Sequence, residues 1–186
     1  MRSNDRAEDV LDLLMQEHRE LEGLLRDLRY AGTAQQRRAR ADQLIASLVR
    51  HSLVEETYVV PLVRDYLIDG EESVAQDRQE HDELEQLLRD LESLDGANPR
   101  FMEVILDLQA TLAHHIAVEE GQQFPQVRLA APAGELAALR DRVQAVERIA
   151  TPGPHAPAAD DRVLLVDPGE GMVDRLRDAL AGPAAS

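Results

Sequence analysis

The chain has 186 residues and a formal charge of −16, from 36 acidic against 20 basic residues; this balance argues against a phosphate-backbone partner and against docking on an anionic membrane surface. It contains no cysteine, so disulfides, thiolate metal sites and iron–sulfur clusters are excluded, and any metal has to be held by nitrogen and oxygen. Hydrophobic residues make up 44% of the chain but aromatic ones only 3%, which leaves Leu, Val, Ile and Ala to fill a core in a composition that favours helix.

The opening stretch MRSNDRAEDVLDLL lacks the apolar segment of a signal peptide, and no apolar run approaches the length of a membrane span, so a soluble cytoplasmic protein is expected. The first helical pattern places Leu14, Leu21, Leu25 and Leu28 at steps of three and four and stops near Ala31-Gly32. The second runs from about Ala34 to Tyr66 through Leu44, Leu48, Leu53 and Leu62. The third begins near Glu72 and passes through Val74, Leu84, Leu88 and Leu91 to Asp95-Gly96. The fourth opens at Asn98-Pro99, a cap followed by proline at the first helical position, and runs to about Ala130. Pro61 and Pro125 sit late in the second and fourth helices, where each should kink or end its helix. Long helices with short connections predict an all-α fold, an up-down-up-down antiparallel four-helix bundle over residues 1–131. An accessory helix follows within 132–150. Residues 151–186 read as a Pro/Ala-rich linker containing His155, an apolar run at Val163–Val166, and a short amphipathic helix at Met172 to Leu180. This tail is too small to fold alone. It should be dispensable for metal binding, and it either docks on the bundle or on a partner or stays mobile.

The chain is written twice. QEHRELEGLLRDL from Gln16 returns as QEHDELEQLLRDL from Gln79, with 11 of 13 positions identical, and HSLVEETYVVPLVR from His51 returns as HIAVEEGQQFPQVR from His115. The offsets are 63 and 64 residues, so one helical hairpin has been duplicated. Each copy brings one lone histidine, His18 or His81, and one His-x-x-x-Glu pair, His51/Glu55 or His115/Glu119. On helical spacing all six fall on the inward stripe, between apolar residues above and below. Burying them costs several kcal/mol each unless they are paired or metal-bound, and no arginine lies on the seam at that level to neutralise them. A single histidine of this kind is more often a core or surface residue; six in a duplicated pattern point to a two-metal site. Stacking His and Glu at i,i+4 lets the imidazole bind one ion while the carboxylate bridges to a second. Nitrogen-rich ligation with bridging carboxylates suits iron, with manganese or zinc as weaker fits.

Other residues carry weaker signals. Glu22 and Glu85, one turn beyond His18 and His81, are candidates for extra ligands or imidazole acceptors, or are helix-surface acids. Tyr58 continues the seam of His51 and Glu55, where core packing competes with a site role. Glu56 and Glu120 lie about 100° off the seam and read as structural or as supports for the ligands. His114 is also off the stripe.

With His18, His51-x-x-x-Glu55, His81 and His115-x-x-x-Glu119 in place, the chain resembles the hemerythrin family, the His-His-Glu cation-binding group, over about Val10 to Ala130. The resemblance is to its bacterial, hemerythrin-like type. It implies a non-haem, oxo- or hydroxo-bridged centre of two iron ions, with Glu55 and Glu119 bridging, His18 and His51 on one iron, and His81 and His115 on the other. Oxygen-carrying hemerythrins add a third-helix histidine in a His-x-x-x-His pair. Here the partners of His81 at that spacing are Asp77 and Glu85, which weakens the reading of a reversible O2 carrier. The branch with this reduced ligand set is associated with H2O2, O2 or NO chemistry and stress responses. The expected function is therefore peroxide decomposition of a catalase-like kind, with binding, storage or sensing of O2 or NO as the alternative. A homodimer or a partner docked through the tail is left open by the sequence.

Overall fold

The computed structural model describes residues 8–150 and 171–181, and every element among them is helical. The apolar run at 163–166, His155 and the linker lie outside the described residues. None of the described helices is long and apolar enough to cross a membrane.

α1 (Val10–Arg29) starts with a reciprocal cap. Asp9 accepts from the Asp12 N–H, and the Asp12 side chain accepts from the Asp9 N–H, each at 3.0 Å. Thr33 and Gln36 form the same device at the head of α2 (Ala34–Val54), satisfying two donors that a helix start leaves unpaired. α2 does not end at its proline. It passes through a π-helical turn, Glu55–Val59, into α3 (Val60–Tyr66), and the second half repeats this as α5 (Arg100–Val118), the turn Glu119–Gln123, and α6 (Phe124–Ala130). In both turns the bond closes over five residues, from Val60 N–H to the Glu55 carbonyl and from Phe124 N–H to the Glu119 carbonyl. Pro61 and Pro125 follow immediately. Each lacks an N–H and its ring would strike the carbonyl four residues back, and the wider turn relieves that conflict without ending the helix. The expected kink is thus an inserted π turn, located at the carboxylate of each His-x-x-x-Glu pair.

α4 (Gly70–Glu92) is the counterpart of α1. α1 packs on α2 and α5, and α4 packs on α5 and α2, which places the four long helices around one axis. Gly70 is required by close approach: a Cβ there would lie 2.7 Å from the Val63 carbonyl oxygen, and nearer still to that of Arg64. Along the axis the interior has three layers. One apolar cluster includes Leu21, Leu25, Leu48, Leu84, Leu88 and Phe101. The other includes Leu11, Leu14, Val59, Val63, Phe124 and Val127. Between them lies a polar layer in which His18, His51, Glu55, His81, His115 and Glu119 are all buried.

The accessory helix α7 (Ala133–Ala150) lies on α1 and adds Leu136 and Val143 to the second cluster. The tail helix α8 (Met172–Ala181) packs on α2 and α4, with Val173 and Leu176 buried in the first cluster. Of the two docking modes the sequence left open, the structure has the one on the bundle itself.

Candidate metal centre

The six duplicated residues converge. His18 and His51 pair edge-on with ring centroids 4.8 Å apart, and His81 and His115 pair the same way at 5.0 Å. The Glu55 carboxylate lies between the two pairs. Its Oε1 is 3.0 Å from His51 Nε2 and 3.5 Å from His18 Nε2, and its Oε2 is 3.2 Å from His81 Nε2 and 3.5 Å from His115 Nε2. Glu119 closes the other side, with Oε2 3.2 Å from His18 Nε2 and 3.4 Å from His115 Nε2. Each carboxylate therefore touches an imidazole of both pairs.

Close as they are, these atoms do not satisfy one another. Among the described residues, all four Nε2 atoms, both oxygens of Glu55 and Oε2 of Glu119 are buried without a hydrogen bond of proper geometry. Atoms that surround a common point and miss directional bonding to each other form the kind of cavity an ion fills. Ligand atoms of His18, His51, Glu55 and His115 all fall within 4.8 Å of one another. The donor set of imidazole nitrogen and carboxylate oxygen fits iron.

The other ring nitrogen of each imidazole faces a carboxylate. Nδ1 of His51 meets Glu17 at 2.8 Å, that of His18 meets Glu120 at 2.9 Å, that of His115 meets Glu80 at 3.1 Å, and that of His81 faces Glu56 at 3.5 Å. An ionised carboxylate can only accept, so in His18, His51 and His115 Nδ1–H donates, and in the neutral ring the lone pair is left on Nε2, the inward atom; His81 Nδ1 is within ion-pair reach of Glu56 but makes no hydrogen bond to it. These four supports obey the duplication: Glu17 and Glu80 each precede the lone histidine, and Glu56 and Glu120 each follow the inward glutamate. Helical spacing leaves Glu56 and Glu120 as either structural residues or supports, and does not single out Glu17 and Glu80. The signal for those two was the QEH triplet present in both copies.

Without an ion, the layer binds protons. Burial alone would lower the His18 imidazole, but Glu119 and Glu55 more than offset it and hold it at about 10; His81 is held at about 9 by Glu55 and Glu56 against the same burial. His51 and His115 are raised as well, also against burial, by Glu55 and Glu17 and by Glu119, Glu55 and Glu80. Glu55 is pushed up by burial and pulled well below the usual carboxylate range by the imidazoles, His51 first.

The duplication breaks at Asp77 and Gln123. Asp77, one turn before His81, is buried and accepts from the Gln123 side-chain amide at 2.7 Å; the matching positions of the first half are Leu14 and Val59, both apolar and buried. Burial raises the Asp77 carboxyl to about 6. Gln123 Oε1 has no hydrogen-bond partner among the described residues. The π turn also settles the seam beyond Glu55: Val59 faces inward at 1% exposure, and Tyr58 is half-buried against the second apolar cluster. Glu22 is exposed. Glu85 pairs with Arg89 and with Arg177 of α8 rather than with an imidazole, and His114 is exposed. A cleft of about 340 Å³ between α1 and α2 reaches down to Glu17 and His51.

A sequence model of the hemerythrin HHE cation-binding domain matches residues 9–152. A hemerythrin-like protein of Schizosaccharomyces pombe is 27% identical over 117 residues, covering 62% of this chain and 58% of the relative. A DNA nickase of Nostoc sp. is 22% identical over 120 residues, 64% of this chain and 34% of that protein. The chain thus spans less than two thirds of the curated relatives it matches. Among solved structures, that of a hemerythrin HHE cation-binding domain-containing protein from Mycobacterium kansasii aligns with a TM-score of 0.65 at 20% identity, covering 75% of this chain and 85% of that one. The chain belongs to the hemerythrin HHE cation-binding family.

Proposed function

We propose that this member of the hemerythrin HHE cation-binding family holds two iron ions in its polar layer and decomposes hydrogen peroxide. His18 and His51 would hold one ion and His81 and His115 the other, with Glu55 and Glu119 available to both. The observation that carries it is the Glu55 carboxylate, which presents one oxygen to each histidine pair while neither oxygen has a hydrogen bond among the described residues. Glu22, Glu85 and Tyr58 are left out of the ligand set because the first is exposed, the second is committed to arginines and the third packs in an apolar cluster.

Two irons bound there would supply a two-electron couple, which matches the balance of the reaction: one peroxide gives up two electrons and two protons to become O2, and another takes up two of each to become two waters. The protein's own residues handle the rest. The four outer carboxylates orient the imidazoles. The apolar clusters above and below exclude bulk water from the layer. The protons need a nearby carrier, and Asp77, buried one turn before His81 and fixed by the Gln123 amide, is a carboxyl placed to take and return a proton beside the layer. Asp77 stands at the spacing from His81 where an oxygen carrier would bring another imidazole. An acid in place of a strong nitrogen donor supports turnover over storage. The chain's charge of −16 opposes reading a nucleic-acid activity into it.

The reading is tested by adding H2O2 to iron-loaded protein and following O2 with an electrode. O2 evolution proportional to bound iron is expected. A reduced protein that instead forms a long-lived, reversible adduct with O2 or NO, and evolves no O2 from peroxide, would make it a binding protein.

A further inference from the structure

The two copies of the QEH repeat differ at two of thirteen positions, and one of these is next to a site imidazole: Arg19 follows His18, whereas Asp82 follows His81. In the first half the arginine has a clear task. Its Nη1 donates to Glu120 Oε1 at 2.6 Å and its Nη2 to Glu120 Oε2 at 3.1 Å, while His18 Nδ1 meets the same Oε1 at 2.9 Å. The guanidinium fixes both oxygens of the carboxylate that fixes the ring. In the second half Glu56 faces His81 Nδ1, and Asp82, an exposed carboxylate, cannot serve Glu56 in this way.

The missing cation comes from the C-terminal helix. With Val173 and Leu176 seated in the first apolar cluster, α8 carries Arg177 over Glu56. Arg177 Nη2 donates to Glu56 Oε1 at 3.0 Å and Nη1 reaches Oε2 at 3.4 Å, so both oxygens are engaged, as Arg19 engages those of Glu120. The same guanidinium also donates through Nε to Glu85, and Asp174 is anchored to Arg89 at 2.7 Å. Arg177 and His81 line the same narrow gap between α2 and α4.

We propose that Arg177 is the second-half counterpart of Arg19, a positioning residue delivered by α8 that holds Glu56 so that Glu56 can hold His81. The inference rests on the metal reading above and makes α8 a working part of that centre, against the expectation from the sequence that the tail is dispensable for metal binding. A carboxylate held at both oxygens by a planar guanidinium has a fixed orientation; released, Glu56 is a partly exposed helix side chain that turns to water. His81, whose Nδ1 lies 3.5 Å from Glu56 in an ion-pair contact without a hydrogen bond, then loses the charge that faces it, and with it the aim of Nε2. By linkage, an ion at the His81/His115 pair and the docking of α8 favour each other.

The test compares the wild type, Arg177→Ala, and Arg177→Ala combined with Asp82→Arg, which rebuilds the first-half arrangement within the second. Each is loaded with Fe(II) anaerobically and titrated with a chelator, and retained iron is counted per chain. Arg177→Ala should hold one of its two irons about 10-fold or more weakly, and Asp82→Arg should bring it back to within about threefold of wild type. Retention by Arg177→Ala equal to wild type would overturn the proposal. So would a double variant as leaky as the single one, because α8 would then act only by covering the site. In iron-free protein, 15N NMR of the His81 ring should show the Nδ1 proton exchanging faster in Arg177→Ala and slowed again in the double variant; unchanged exchange would likewise overturn it. Failure of the metal reading shows up separately, as a wild type that takes up no iron.

Discussion

Glu17 meets Nδ1 of His51 at 2.8 Å across the α1–α2 interface, and both side chains are buried. Glu80 does the same for His115 at 3.1 Å. Replacing either by glutamine keeps the size of the side chain and removes the charge that favours an Nδ1–H donor. Each substitution should weaken iron binding by about 10- to 100-fold, read by competition with a chelator. Unchanged affinity would mean that these glutamates are only buried helix acids.

The stability of the iron-free protein should depend on pH on its alkaline side. His18 and His81, with ordinary values of 6.5, are held at about 10 and about 9 in the fold. A raised value means that the folded state binds the proton more tightly, so the stability gained is fully present below 6.5 and is lost as pH rises through 9 to 10. The melting temperature of the iron-free protein should therefore fall between pH 7 and 10. With iron bound the imidazoles carry no Nε2 proton, so the fall over that range should be smaller and iron uptake near pH 7 should release protons. Parallel melting curves for the two forms would contradict the assignment of these histidines.

The Asp77–Gln123 pair distinguishes the two halves and can be erased by copying the first half into the second. Asp77→Leu with Gln123→Val reproduces the Leu14/Val59 pair. Iron content should persist, since neither residue is a proposed ligand, and O2 evolution from peroxide should drop by about 100-fold, at the low end of what a positioned proton carrier contributes. Turnover at the wild-type rate would remove Asp77 from the chemistry.

Gly70 tests the fold without touching the site. A Cβ at this position meets the backbone carbonyls of Val63 and Arg64, which cannot rotate away as a side chain would. Gly70→Ala should cost about 1–3 kcal/mol, measured by chemical denaturation, with iron per folded chain unchanged. A neutral substitution would show that the turn after α3 yields more easily than its contacts suggest.

Much of this organisation was legible in the sequence because duplication makes a weak signal repeat. One inward histidine is ambiguous; His18 and His81, with His51/Glu55 and His115/Glu119, share a seam twice over, and the structure gathers all six in one layer. The helix spans were legible for the same reason, from leucine spacing and the Asp95-Gly96 and Asn98-Pro99 breaks. Three features were not legible. Straight-helix spacing continues the seam from Glu55 to Tyr58, but the π turn before Pro61 widens the helix and brings Val59 inward instead. Glu17 and Glu80 sit beside the inward stripe, so periodicity classes them with surface acids, and only the neighbouring helix shows what they hold. Arg177 is separated from Glu56 by 121 residues, and nothing local to either residue announces the other.

Iron counting on the full chain tests the central claim most directly. The protein is stripped of metal, loaded with Fe(II) without oxygen, freed of unbound iron and assayed for iron per chain, alongside Glu55→Ala. Two irons per wild-type chain and fewer in Glu55→Ala is the predicted result, because the Glu55 carboxylate faces both histidine pairs. Fewer than one metal per wild-type chain, with no response to added Fe(II), would contradict the account.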